Sequence, residues 1–575
     1  MRLKKNKEAL YPIRPIKDLK DLIESSARVF PERNAFLKKE KPGGTYMPVK
    51  YKEFKVQLDA LGTAFMELGL KGERIAVIGE NRFEWLLTYL SVVNGIGVIV
   101  PLDKELPSNE IRYLLEKSKA RALIYSDKLE SVVDNAVEGL EHLKYLISMD
   151  ALEDSAQKLS LKKMIIKGHE YIHNGKTEYI NAEIDPEAVG ILLFTSGTTG
   201  LAKGVMLSHK NICANVMAMS QYVDAKETDV ILSVLPMHHT YECTCGIFTP
   251  LYKGACIAFC EGLKHIVKNL NESKASVMLG VPLIFESMYT RLWRKVEKEG
   301  KTSKLRKGLA VNRALRKVGI DKSRKLFKSV HDALGGNIRM FISGAAAADP
   351  EILECFNDMG IIMFQGYGLT ECSPIVSVNK DNNIKYNSVG LPLPGTELQI
   401  FEPDEEGIGE IICRSDSVMI GYYNNEEDTR KVIKEGWFYT GDYGYLDEEG
   451  FLYITGRKKN VIVTKNGKNI FPEEVEYYLN KSEYIKECMV WGKNDERRED
   501  TLVYADIVID RDFLKETDRF YSDEEIHKLI QEVVHEVNSK IPLYKRIKRF
   551  NIRNDEFEKT TTQKIKRYGE NIKNR

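Results

Sequence analysis

Residues 189–204 restrict the fold more than any other stretch of the chain. Val189-Gly190-Ile191-Leu192-Leu193-Phe194 is an unbroken apolar run and predicts a buried strand. It leads into Thr195-Ser196-Gly197-Thr198-Thr199-Gly200-Leu201-Ala202-Lys203-Gly204, and a helical segment rich in Met, Ala and Val follows Ser208-His209-Lys210. A loop of this kind can turn backbone N–H groups and hydroxyls toward one anion, which suits a polyphosphate. Lys203 adds positive charge. The familiar Walker cradle requires Gly, four residues, then Gly-Lys-Ser/Thr; here Ala202-Lys203-Gly204 falls at those positions. Taken alone, the loop reads equally as a Ser/Thr/Gly-rich turn without function.

The segments around it alternate. Strands are predicted over 74–79, 97–102 and 122–125, with helices over 51–70, 81–93 and 110–118 between them. This order predicts an α/β fold of doubly wound sheets with helices on both faces. Further buried strands are predicted at 230–235, 275–281, 338–343 and 361–364. After Gly395 short alternating runs separated by turn residues predict a β-rich subdomain over 395–456. A helix at 472–480, strands at 485–491 and 502–509, a helix at 522–540 and a strand at 550–552 predict a compact α/β lid. The expected organisation is a large domain over 1–456, a hinge at 457–460 and a small mobile domain over 461–575.

Composition excludes some function classes. With 85 basic and 84 acidic residues the chain shows no global preference for nucleic acid. The nine cysteines include no Cys-x-x-Cys pair and several stand in apolar runs, so buried reduced thiols of a cytosolic protein are expected. The basic start at 1–7 is not followed by the apolar core of a signal peptide, and the apolar stretch 85–102 is broken by Asn94, Gly95 and Gly97. One region is lopsided. Over 291–328 there are fifteen Lys and Arg against Glu297, Glu299 and Asp321, with Trp293, Leu305, Leu309, Val311, Leu315, Val318 and Phe327 among them. A solvated helical pair and a peripheral contact with the inner, anionic face of a membrane are both open readings.

Other candidate residues stand in short motifs. Gly366-Tyr367-Gly368-Leu369-Thr370-Glu371 follows a strand; Tyr367 offers a flat face for a purine, Thr370 a donor for phosphate, and Glu371 an oxygen ligand for magnesium. Asp442 in Tyr439-Thr440-Gly441-Asp442 could accept from both hydroxyls of a ribose. The string Thr-Ser-Gly-Thr-Thr-Gly-x-x-Lys-Gly resembles the phosphate loop of the AMP-forming acyl-CoA synthetases, the adenylate-forming superfamily. Tyr-Gly-x-Thr-Glu resembles their second signature, Tyr439–Asp442 the ribose signature, and Gly456-Arg457-Lys458-Lys459-Asn460 the hinge signature. Lys559-Thr560-Thr561-Thr562-Gln563-Lys564 resembles the loop that carries the adenylation lysine, with Gln563 where many members have Gly.

The resemblance implies roles. Thr195, Ser196, Gly197, Thr198, Thr199, Gly200 and Lys203 would hold the ATP phosphates. Gly344 and Ala345, with Gly366, Tyr367 and Gly368, would line adenine. Asp442 and Arg457 would hold ribose, and Glu371 with Thr195 would ligate Mg2+. Thr370, Glu371, Lys564 and His239 are the expected catalytic set, with Lys459 as pivot; in Leu235-Pro236-Met237-His238-His239, His239 is the histidine in register to flank the acyl carboxylate. ATP-dependent formation of an acyl-adenylate would be followed by transfer to a thiol. Coenzyme A is the expected thiol, because no carrier domain follows the lid. The subfamily pattern is most similar to long-chain fatty acyl-CoA synthetases. An aryl-acid ligase, a ligase loading an acyl carrier protein, and a degenerate nucleotide-binding regulatory protein are the alternatives.

Overall fold

The computed structural model describes residues 9–195, 202–464, 468–495, 500–516, 520–559 and 565–567. The chain forms two compact units, one of residues 2–397 and 413–438, the other mainly of 398–412 and 439–575.

The larger unit is built on two sheets. In one, the strands run in the order Gly421–Tyr422, Lys203–Ser208, Val189–Thr195, Val98–Leu102, Arg74–Ile78, Ala122–Tyr125, Tyr145–Ser148, Leu159–Ser160. Its centre is parallel, with Ile75 opposite both Ile99 and Ala122. Ala76, Ile78, Val100, Leu102, Leu123 and Tyr125 are buried in one cluster. Burial by helices on both faces explains why these strands read as continuous apolar runs. The helices Phe83–Val93 and Ser108–Ser118 match the expected 81–93 and 110–118 to within two residues.

The other sheet has nine strands, with Ile362–Gly368, Met340–Ser343, Val277–Gly280, Val230–Ser233 and Cys256–Phe259 consecutive and parallel. The expected strand over 230–235 ends at Ser233, before Pro236. The strand expected at 361–364 runs on to Gly368, where it pairs antiparallel with Ile375–Val378. This extension carries Tyr367 on ordered backbone. The basic region is helical over Pro282–Lys298 and Thr302–Lys317, and Val311, Val318 and Leu326 are exposed along it.

In the smaller unit the strands Ile485–Asp495 and Asp500–Ile509 are antiparallel, and Ile547–Arg553 joins them in parallel. The helices Pro472–Leu479 and Asp523–Lys540 pack Val475, Leu479, Ile530 and Val534 on Val490, Ala505 and Ile507. The strand expected at 550–552 runs from Ile547 to Arg553, because backbone pairing with the strand Asp500–Ile509 continues on both sides of it. The nine cysteines are free thiols, and all but Cys245 are buried. Among the described residues no helix is long and apolar enough to cross a membrane.

Candidate active site

The strand Val189–Thr195 turns back as Lys203–Ser208, with Thr195 opposite Lys203. The helix His209–Met219 then begins at Ser208, whose hydroxyl accepts from Asn211 N while the Asn211 side chain accepts from Ser208 N. Ser196, Gly197, Thr198, Thr199 and Gly200 lie outside the described residues. Lys203 is held from two sides. Its ammonium lies 2.8 Å from Asp428 and 4.9 Å over the centre of the Tyr422 ring. The Tyr422 hydroxyl in turn donates to Glu371 Oε1 at 2.9 Å. Lys203 and Glu371, drawn from two separate motifs, thus sit on two parts of one tyrosine.

Thr370 and Glu371 begin a single 3-10 turn after the strand that carries Gly366, Tyr367 and Gly368. A Cβ on Gly368 would stand 2.1 Å from the Pro374 carbonyl, so only glycine lets the chain pass there. Ser343 closes a neighbouring strand, and Gly344 and Ala345 follow it. A Cβ on Gly344 would meet the Tyr241 ring at 2.6 Å, and the Tyr241 hydroxyl donates to Ile342 O at 3.1 Å. Ala345 takes a left-handed backbone, φ 70°.

The rings of His238 and His239 meet at a tilt of 40° with their centres 4.1 Å apart. Burial lowers the His238 pKa to about 3, so its 3.6 Å approach to Asp103 is a contact of a neutral ring. The loop before them is tied by Asn81, which donates to Leu235 O at 2.6 Å and accepts from Met237 N. Beyond them the chain makes a π-helical segment, Tyr241–Phe248. Glu242 within it is 1% exposed, and the Ser233 side chain and the Leu235 backbone offset only part of the cost of burying it. Burial raises its pKa to about 8.

In the smaller unit Asp442 is buried and directly opposite Arg457 on paired strands. Gly441 before it has a left-handed backbone, φ 71°. Glu410, also buried, accepts from Gly441 N at 3.1 Å and pairs with Lys458 at 2.6 Å. It thereby links the Asp442 turn to the short 3-10 turn Lys458–Asn460 that holds Lys459. Lys564 lies outside the described residues, but the chain on both sides of it is anchored. Lys559 pairs with Glu487 at 2.5 Å and bridges to Ile565, while Arg567 pairs with Glu476 and donates to Val490 O.

Among the described residues no group of three or more His, Cys, Asp or Glu side chains could hold a metal ion. Glu371 fits a different arrangement. One carboxylate oxygen takes the Tyr422 hydroxyl and the other takes no donor among the described residues, an arrangement that suits a magnesium ion brought in by substrate phosphates. Thr195 Oγ1 faces Lys203 O at 3.5 Å, a contact weak enough to be exchanged. Sequence reasoning missed Tyr422, Asp428, Glu410 and Glu242. Gly421-Tyr422 was open to notice only as a Gly-aromatic pair, and the others as ordinary acids.

The family model for the AMP-binding enzyme matches residues 23–423, and that for the AMP-binding enzyme C-terminal domain matches 459–569. Fatty acyl-CoA synthetase B of Dictyostelium discoideum is 28% identical over 515 residues, covering 82% of this chain and 75% of that protein. Long-chain-fatty-acid–CoA ligase 5 of Rattus norvegicus is 29% identical over 525 residues, covering 85% and 76%. The crystal structure of the anthranilate CoA ligase AuaEII in complex with anthranoyl-AMP superposes with a TM-score of 0.75 at 20% identity, covering 97% of this chain and 96% of that one. The last likeness bears on the fold alone.

Proposed function

Because the chain belongs to the AMP-binding enzyme family, we propose that it activates a long-chain fatty acid as its acyl-adenylate and passes the acyl group to coenzyme A, releasing pyrophosphate and AMP. The observation that carries this reading is the meeting of Lys203 and Glu371 on Tyr422. A cation for phosphate and a carboxylate for its metal stand together, as a Mg·ATP site requires. The fatty relatives at 28–29% identity support the acyl class.

In the first step a carboxylate oxygen attacks the α-phosphorus of ATP, and the bond to pyrophosphate breaks. Residues 195–203 bind the β- and γ-phosphates, with Lys203 exchanging Asp428 for phosphate oxygens. When bound on Glu371 and Thr195, Mg2+ neutralises charge on the phosphates. Gly344, Ala345 and Tyr367 line adenine, and Asp442 and Arg457 orient the ribose. His239 flanks the acyl carboxylate. Lys564 is assigned to the charge that builds between carboxylate and α-phosphate, an effect of about 3–4 kcal/mol for contacts of this type. In the second step the thiol sulfur attacks the acyl carbon and AMP leaves. Lys459 is assigned as the pivot that lets Lys564 withdraw.

The basic helices also take part in this reading. Pro282–Lys298 and Thr302–Lys317 present lysines beside exposed Val311, Val318 and Leu326, a composition suited to an anionic bilayer surface.

The test is carboxylate-dependent exchange of labelled pyrophosphate into ATP, over fatty acids of rising length and several aryl acids, with Lys564→Ala alongside. Exchange that peaks with long fatty acids and collapses in the variant is expected. Exchange confined to aryl acids would replace the substrate class; no exchange from folded, ATP-binding protein would overturn the reading. Product formation with coenzyme A against acyl carrier protein identifies the acceptor.

A further inference from the structure

We infer that Tyr422 is a positioning residue for Mg·ATP, setting the free oxygen of Glu371 toward the metal while its ring holds Lys203 at the phosphates; this rests on the Mg·ATP site proposed above. Three features of the fold carry it. The hydroxyl donates to Glu371 Oε1 at 2.9 Å, and among the described residues Oε2 takes no donor, which leaves it as the oxygen for a cation. The ring lies under Lys203 Nζ at 4.9 Å, where an ammonium is attracted by the aromatic face. The backbone is fixed at every side. Tyr422 is opposite Val205 on the strand that begins with Lys203, and Tyr422 N donates to Thr429 Oγ1 at 2.9 Å. Tyr423 N donates to Gly204 O, and Met419 N donates to Glu371 O, both at 2.7 Å. Residues 419–423 therefore splice the lysine strand to the Glu371 turn. Gly421 permits this: a Cβ there would stand 2.8 Å from Thr429 Cγ2.

The chemistry matches the placement. A phenol is an O–H donor at neutral pH, and its one proton is committed to Glu371. Lys203 holds the Asp428 carboxyl down to about 2, so Asp428 stays anionic and occupies the lysine until phosphate arrives. An ammonium has three donors, and the ring keeps Lys203 in place as Asp428 is exchanged for phosphate.

The experiment measures nucleotide binding without any acid. ATP affinity is read by calorimetry in the presence of chelator, and the Mg2+ concentration at half-maximal ATP-dependent thermal shift is read separately. Tyr422→Phe keeps the ring and loses the donor. It should leave the metal-free ATP Kd within twofold of wild type and raise the Mg2+ half-point about tenfold, as expected for loss of a hydrogen bond to a charged group. Tyr422→Leu should in addition weaken metal-free ATP binding about fivefold through loss of the ring contact. In a Glu371→Gln background, Tyr422→Phe should change the Mg2+ half-point by less than twofold, because the two residues act as one unit. If Tyr422→Phe does not fold, 4-fluorophenylalanine at 422 fills the hydroxyl volume without its proton and replaces it in every arm. A Mg2+ half-point within twofold of wild type in the donor-less variant overturns the proposal, as does additivity with Glu371→Gln. Failure of acid-dependent exchange alongside the expected Mg2+ shifts would remove the ligase reading and leave the role of Tyr422 standing.

Discussion

Arg457 Nε lies 3.1 Å from Asp442 Oδ1, across paired strands that place the two residues directly opposite one another. Asp442 is 4% exposed, whereas the Arg457 side chain is 46% exposed. The acid is thus held by the fold and the arginine is held by the acid, with the guanidinium reaching solvent. This order of dependence predicts which substitution does more harm.

Asp442→Asn should raise the KM for ATP about tenfold, since hydrogen bonds to a charged group contribute about 1.5–3 kcal/mol. Arg457→Ala should raise it less, because Asp442 keeps its position through its own strand. Steady-state kinetics at saturating acid checks both, with unchanged melting temperature as the control.

Glu242 predicts a pH-dependent stability. The folded carboxyl keeps its proton up to about pH 8, whereas the unfolded one loses it near the ordinary glutamate value of 4.5. Between these values the native state holds one more proton than the unfolded state, so stability falls as pH rises. The slope is at most about 1.4 kcal/mol per pH unit. Glu242→Gln should abolish that slope, and its urea midpoint should gain on wild type from pH 5.5 to pH 8. Parallel curves for the two proteins would refute the assignment.

In the smaller unit Arg567 pairs with Glu476, whose side chain is 13% exposed against 21% for the arginine. Glu476→Ala leaves Arg567 with only Glu473, 3.9 Å away, as its anion. A loss of about 2–3 kcal/mol is expected, below the ~3–5 kcal/mol of a fully buried pair because Arg567 retains some water. The denaturation midpoint measures this, and Glu476→Leu combined with Arg567→Leu should recover much of the loss.

The basic helices predict binding to vesicles of phosphatidylglycerol but not of phosphatidylcholine alone. Flotation should be lost as salt rises from 50 mM to about 0.5 M, where screening shortens to a few ångströms. Replacing Lys304, Lys307 and Lys317 by Glu should abolish flotation and leave acid-dependent pyrophosphate exchange in detergent unchanged.

Much of the fold was legible because its signals are local. The strands Arg74–Ile78 and Ala122–Tyr125 are buried on both faces and therefore read as apolar runs. Asp523–Lys540 carries a helical period and has its capping box at Ser522 and Glu525. Each candidate signature was legible as a string for the same reason. The strand Lys203–Ser208 and the π-helical segment Tyr241–Phe248 were not, since a hairpin after the loop and one extra residue per turn leave no periodic mark.

The α/β class and the order of the motifs, with Lys203, Glu371, Asp442 and Arg457 as candidates within them, were legible in the chain alone. Tertiary structure alone decided that Gly421–Tyr422 closes the edge of the sheet beside Lys203–Ser208, and so brings one phenol to both Lys203 and Glu371. A two-residue strand has too few side chains to show a period. Its place is set by backbone hydrogen bonds to residues far away in the chain, and those bonds are made by atoms that every residue shares.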